Sequence, residues 1–279
     1  MKTHLFIFLM LGSLIACDLA GQESQEPKHW DKVVAIQTKQ KTSNKHATAF
    51  FIQKGDALFM VTANHAADET KSDTRILYTR DSGESRWMQL RGIVPSDTNP
   101  WTQYKNNDLA VARLQLTRAS KSDIADFNYL SLPYEALLTS TPPRASEIEF
   151  VGFPLAYGTT PPISSLVVRG HIASRELKSK GDWGVVPIIY ATPTVASGTS
   201  GSPVFRAMQS PDAIAIVGMY IAVAVDETGA KLAKLVPARL IREAIDAASG
   251  DPVASEAEKE TEDEPTDASE PQEAGRQAD

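Results

Sequence analysis

The sequence predicts an all-β chain closed by one α-helix. Between residues 30 and 237, thirteen short runs rich in β-branched and aromatic residues are separated by turn-forming clusters. Apolar residues repeat clearly at helical spacing only after Pro237. Many short strands with so little helical periodicity specify barrels or a sandwich.

The first strands are expected at Val33–Thr38, Ala47–Gln53, Leu58–Thr62, Arg75–Thr79, Trp87–Val94, Leu109–Leu116 and Asn128–Leu132. A looser stretch follows, Thr117–Asp126 together with Leu137–Ala145. Within it Thr139–Arg144 (TSTPPR) reads as a connection between two halves. The second set comprises Glu147–Gly152, Leu166–Ala173, Val185–Thr192, Pro203–Arg206, Ile214–Val225 and Ala230–Val236. The helix then runs over 237–249: Pro237 sits at its first turn, Leu240, Ile241, Ala244, Ile245 and Ala248 share a face, and Gly250 is the stop.

Charge separates the ends from the middle. The 279 residues carry a net −7, yet residues 251–279 alone hold eleven acidic and two basic side chains, so the rest is close to neutral. That tail has few large apolar residues and reads as solvated and disordered. A near-neutral folded part without a clustered basic face excludes a nucleic-acid-binding role. The single cysteine, Cys17, excludes a disulfide framework within the chain. His4, His29, His46 and His171 show no metal-ligand spacing, so no metal or other cofactor is expected.

The N-terminus accounts for the cysteine. Lys2 precedes an uncharged apolar run, Leu5–Leu11, too short to span a membrane. It ends in Leu14-Ile15-Ala16-Cys17, which resembles the bacterial lipobox. The resemblance implies removal of residues 1–16 and acylation of Cys17. Several acyl chains on one residue anchor stably where one would not. Residues 17–29 then form a lipidated polar tether. Asp18 resembles an inner-membrane retention mark. The expected location is the bacterial envelope, facing the periplasm, in the inner or the outer membrane.

Three motifs carry chemistry. The third strand runs into Val61-Thr62-Ala63-Asn64-His65-Ala66-Ala67. Asn107-Asp108-Leu109-Ala110 opens an alternating strand. Ser197-Gly198-Thr199-Ser200-Gly201-Ser202-Pro203 places a serine between two glycines, which permit a sharp backbone path. The order His, Asp, Ser, with separations of 43 and 92 residues, resembles the trypsin-like, chymotrypsin-fold serine peptidases and not the α/β-hydrolases. Ala47–Ile52 resembles the strand leading that family's histidine hairpin, with alanines where glycines are usual. Glu147–Pro154 and Val167–Ser174 resemble two further strands. The similarity covers about residues 31–245 and is closest to the bacterial group that lacks disulfides.

The resemblance implies two six-stranded antiparallel β-barrels with a C-terminal α-helix, in a domain of residues 30–250 split near 117–145. It implies that Ser200 attacks a peptide carbonyl, His65 relays the proton and Asp108 orients the imidazole. The Gly198 and Ser200 N–H groups would form the oxyanion hole. The substrate pocket would have Thr194 at its base and Met219, Tyr220 and Ile221 in its wall, shallow and suited to small or medium apolar side chains. Thr199 stands where many animal relatives carry the aspartate that locks a cleaved N-terminus, so the oxyanion loop must be held differently. The expected function is an endopeptidase for proteins or peptides, tethered to a membrane through Cys17. The alternatives are a catalytically silent lipoprotein of the same fold that binds peptides or envelope proteins, and a structural envelope lipoprotein.

Overall fold

The structure is a computed structural model that describes residues 28–94, 100–104, 107–181, 184–208, 210 and 212–250. The expected signal, Cys17, most of the tether and the acidic tail lie outside the described residues.

Two sheets built on β-rich sequence frame the described residues. The first contains β1 (Val33–Lys39), β2 (Asn44–Lys54), β3 (Ala57–Thr62), β4 (Arg75–Thr79), β5 (Ser85–Gln89), β6 (Thr102–Gln103), β7 (Ala110–Arg113) and β8 (Ser131–Pro133). Its order is β5-β4-β1-β2-β3-β7-β6, with β8 pairing β2 in parallel. The long β2 is the spine, since it pairs with β1, β3 and β8. Its middle residues, Ala47 to Ile52, are all buried, which suits a strand covered on both faces.

The second sheet contains β9 (Glu147–Gly152), β10 (Leu166–Ile172), β11 (Leu177–Gly181), β12 (Gly184–Thr192), β13 (Pro203–Arg206), β14 (Ile216–Val225) and β15 (Lys231–Pro237). Six of these close on themselves: the order β10-β9-β13-β14-β15-β12 is completed by pairing of β12 with β10. The expected six-stranded barrel is thus present in the second half, with β11 extending β12 outside the ring. The first half holds eight strands, and no ladder joins its two ends among the described residues.

Two apolar clusters fill the molecule. One lies within the second barrel around Ile148, Phe150, Ile189, Val204, Tyr220 and Leu235. The other fills the first half and continues under the C-terminal helix.

Among the described residues three α-helices complete the fold. α1 (Asn64–Ala67) is a single turn after β3, and α2 (Lys121–Leu130) lies between β7 and β8 of the first sheet. α3 (Ala238–Ser249) buries Leu240, Ile241, Ala244 and Ile245, the face expected from the sequence. Pro237, expected in the first turn of α3, is instead the last residue of β15 and stands just before the helix, and Gly250 ends it in the left-handed conformation (φ 79°).

Several boundaries differ from expectation. Residues 128–130, expected as strand, are the last turn of α2. Its start is fixed by a capping box in which Ser120 and Asp123 satisfy each other's backbone N–H. The strand expected over Trp87–Val94 is β5, which stops at Gln89 where a 3₁₀ turn begins. β7 is shorter than the expected Leu109–Leu116 and also gives way to a 3₁₀ turn. β11 was not expected, because LKSKG is mostly polar and Leu177 is half-exposed.

Candidate active site

His65 sits in the α1 turn, immediately after the buried strand β3. The register of β3 against β7, with Thr62 opposite Ala110, brings the residues just before β7 alongside that turn. Asp108 is there, buried at 7 % exposure. It contacts His65 twice. The imidazole Nδ1 lies 2.7 Å from Asp108 Oδ2, and the His65 backbone N–H donates to Oδ1 at 2.9 Å. Two contacts fix both the ring position and its tautomer, since a carboxylate next to Nδ1 calls for a proton there. The Asp108 hydrogen bond raises the His65 pKa above the usual histidine value. Partial burial opposes the shift, and the nearby negative charges of Asp108, Glu69 and Asp68 assist it.

Ser200 comes from the segment between β12 and β13. Gly198 (φ 96°) and Gly201 (φ 88°) flank it in conformations that side chains resist. Space excludes a side chain there too. A Cβ on Gly201 would lie 2.2 Å from the Thr48 carbonyl oxygen, and one on Gly198 would lie 2.6 Å from the Phe153 carbonyl oxygen. The Ser200 hydroxyl donates to the Ile221 carbonyl at 3.3 Å. Among the described residues no hydrogen bond joins it to His65, but both side chains line one cavity of about 550 Å³.

The backbone of this loop is held plane by plane. The Ser197 carbonyl accepts from the Leu155 N–H (2.6 Å), and the Thr199 carbonyl from the Ser202 N–H (2.9 Å). The Gly198 carbonyl accepts from the Thr48 hydroxyl (2.9 Å), and the Ser200 carbonyl from the Thr48 N–H (2.9 Å). The Thr199 N–H donates to Ala196, that of Gly201 to Tyr220 and that of Ser202 to Thr199. Of the five successive N–H groups from 198 to 202, those of Gly198 and Ser200 have no carbonyl partner among the described residues.

The cavity is walled by Ile36, Lys45, His46 and Ala47 from β1 and β2, by Glu69, and by Leu155 beside the serine loop. Lys45 and Glu69 form an ion pair at its edge. Burial lowers the His46 pKa, which keeps this ring neutral near pH 7, and its Nδ1 is buried without a hydrogen-bond partner among the described residues. Leu155 is 59 % exposed and, like Ala156, adopts a positive φ (53° and 61°). Such strain in non-glycine residues concentrates at functional sites.

The four residues expected to form the substrate pocket lie elsewhere than this cavity. Met219 and Ile221 are buried in the larger apolar cluster, and Tyr220 in the smaller. The Tyr220 hydroxyl donates to the Val195 carbonyl at 3.0 Å, next to the half-buried Thr194.

Thr48 and Gly152 lie in two strands that the sequence marks as similar to the family, but neither they nor Leu155 is singled out there as a site residue. The available signal was compositional: Thr48 is the one hydroxyl in the buried run Ala47–Ile52, and Gly152 ends the strand Glu147–Gly152 just before Phe153-Pro154. No group of three His, Cys, Asp or Glu side chains is placed to hold a metal ion among the described residues, and no described helix is long and apolar enough to cross a membrane.

A model of the trypsin-like peptidase domain matches residues 47–215, a span that includes His65, Asp108 and Ser200. No curated protein matches the sequence. Among solved structures, the chain is similar to the MamO protease domain from Magnetospirillum magneticum, with a TM-score of 0.55 and 16 % identity, over 77 % of this chain and 95 % of that one. It is also similar to AL20, a thermostable serine protease from an extremophilic microorganism, with a TM-score of 0.51 and 14 % identity, over 80 % and 99 % of the two chains. At these identities the structural likeness establishes the fold.

Proposed function

From the premise that this chain belongs to the trypsin-like peptidase family, we propose that it is a serine endopeptidase that hydrolyses peptide bonds with His65, Asp108 and Ser200. The observation that carries this reading is His65, doubly bonded to the buried Asp108 and lining the same cavity as a serine held between two positive-φ glycines.

Ser200 Oγ attacks the scissile carbonyl as its proton passes to His65 Nε2. The Nδ1–H of the imidazolium stays on Asp108, which stabilises the new charge. The oxyanion is met by the Gly198 and Ser200 N–H groups, the two in the loop that lack carbonyl partners. Proton return from Nε2 to the leaving amine breaks the C–N bond. Water then repeats the sequence and frees Ser200. Because the leaving amine collects its proton from His65, the half of the substrate beyond the scissile bond lies on the imidazole side. That is where the cavity walled by the β1–β2 hairpin and Glu69 opens.

For the acyl side, Tyr220 tied to the carbonyl beside Thr194 supports a shallow pocket for small or medium apolar side chains. For location, the lipobox ending in Cys17 supports attachment to a bacterial envelope membrane by acylation.

One observation favours a second reading, peptide binding without turnover: the Ser200 hydroxyl donates to the Ile221 carbonyl, and no hydrogen bond joins it to His65 among the described residues. Digestion of a peptide library separates the two readings. The peptidase reading expects cleavage by the wild type and none by Ser200→Ala. Peptides retained uncut by both proteins would select the binding reading. For the anchor, a fatty-acid analogue should label the wild type and not Cys17→Ser.

A further inference from the structure

A buried hydroxyl needs partners, because desolvating it without them costs more than its hydrogen bond contributes. Thr48 is fully buried in β2, flanked by Ala47 and Ala49, and both roles of its hydroxyl are used. Oγ1 donates to the Gly198 carbonyl at 2.9 Å and accepts from the Phe153 N–H at 3.2 Å. The backbone of the same residue donates to the Ser200 carbonyl (2.9 Å) and accepts from the Thr62 hydroxyl (2.7 Å). A residue of the first sheet therefore grips the serine loop at two carbonyls and the turn after β9 at one N–H.

The surroundings are shaped to this side chain. A Cβ on Gly152 would lie 2.9 Å from Thr48 Oγ1 and 3.0 Å from Ser202 Cβ, so a residue larger than glycine would displace the threonine or the loop. The two gripped carbonyls bracket Thr199. Fixing the Gly198 and Ser200 carbonyls sets the peptide planes on both sides of the Thr199–Ser200 peptide, which carries the Ser200 N–H. The remaining plane, Ser197–Gly198, is set by Leu155. In a trans peptide the carbonyl and N–H point in opposite directions, so holding the Ser197 carbonyl outward turns the Gly198 N–H the other way.

The geometry points to Thr48 as the positioning residue that holds the oxyanion-binding loop in its working form. It takes the part that a locking aspartate plays in relatives with a different residue at position 199. Thr48 touches no reacting atom and acts through Gly198, Ser200 and Phe153. This assignment rests on the peptidase reading for its catalytic consequence, but not for its structural one.

The test compares Thr48→Ala with Thr48→Ser in the full chain. Both lose the methyl group and differ only in the hydroxyl. With a cleavable peptide, Thr48→Ala should lower kcat by about 10- to 100-fold, as expected for a slightly displaced oxyanion site, with KM within about twofold. Thr48→Ser should stay within about threefold of wild type, and the pH profile should be unchanged in both because the His65–Asp108 pair is untouched. Independently of turnover, amide hydrogen exchange at 153–155 and 197–201 should accelerate in Thr48→Ala and not in Thr48→Ser. Equal kcat in the two variants, or equal exchange, overturns the assignment. If the wild type itself neither cleaves peptides nor reacts with a serine-directed probe, the peptidase reading fails. The exchange comparison then decides the role of Thr48 alone. If Thr48→Ala does not fold, Thr48→Val fills the same volume without the hydroxyl and is measured the same way.

Discussion

His65 and Asp108, 43 residues apart, are joined by two hydrogen bonds: the ring Nδ1 meets one carboxylate oxygen and the His65 backbone N–H meets the other. Asp108 therefore sets the backbone position and the ring orientation of His65 together, and it favours the charged imidazole. A general base must be neutral to accept the serine proton. The acid limb of kcat/KM should therefore have its midpoint above about 6.5, the ordinary histidine value. Asp108→Asn should shift that limb downward and lower kcat on the order of 10⁴-fold, the loss that follows when the tautomer is no longer enforced. A pH–rate series on both proteins checks this.

The same shift contributes to stability, with a definite sign. The folded pKa of His65 is raised, so its contribution is fully present below the unfolded value and disappears as pH rises through the folded one. The difference in urea midpoint between wild type and His65→Gln should thus be largest near about pH 6 and shrink towards about pH 9. A constant difference would mean that the pair contributes only packing.

Two glycines with the same sign of φ should behave differently. Gly201→Ala must accommodate a Cβ 2.2 Å from the Thr48 carbonyl oxygen and 2.3 Å from Thr62 Oγ1, so it should cost about 3 kcal/mol and remove activity. Gly55 (φ 55°) has open space, and Gly55→Ala should cost about 1 kcal/mol, the conformational term alone, with activity retained. Urea unfolding with a turnover assay separates clash from strain.

Tyr220 makes the acyl-side preference testable. Tyr220→Phe leaves the Val195 carbonyl without its hydroxyl donor and should cost about 1–2 kcal/mol. On the proposed acyl-side pocket, Tyr220→Ala removes the whole side chain whose hydroxyl holds the Val195 carbonyl. Peptide-library digestion should then show cleavage after larger apolar residues than the wild type accepts.

The docking of α3 predicts a pure packing effect. Ile241 is fully buried, and Ile241→Ala should destabilise by roughly 2–5 kcal/mol in urea unfolding.

What could be read from the sequence was what is local. The strands Arg75–Thr79, Glu147–Gly152 and Pro203–Arg206 and the apolar face of α3 lie where the pattern puts them, because alternation and helical spacing need only neighbouring residues. The motifs that hold His65, Asp108 and Ser200 are likewise short and local, whereas the pairing of His65 with Asp108 is seen only in the fold. α2 was missed although the Ser120-x-x-Asp123 capping signal is present, because Asn128–Leu132 also fits a strand pattern. The roles of Thr48 and Gly152 depend on residues 50 to 150 positions away, and no window along the chain contains that information. Ring closure between β10 and β12 is a pairing of the same non-local kind.

Reaction of the full chain with a fluorophosphonate, followed by intact-mass analysis and peptide mapping, tests the central claim most directly. The account predicts one adduct on the wild type, located at Ser200 and absent from Ser200→Ala, with slower labelling of Asp108→Asn. Equal labelling of wild type and Ser200→Ala, or no labelling of a folded wild type, would contradict it.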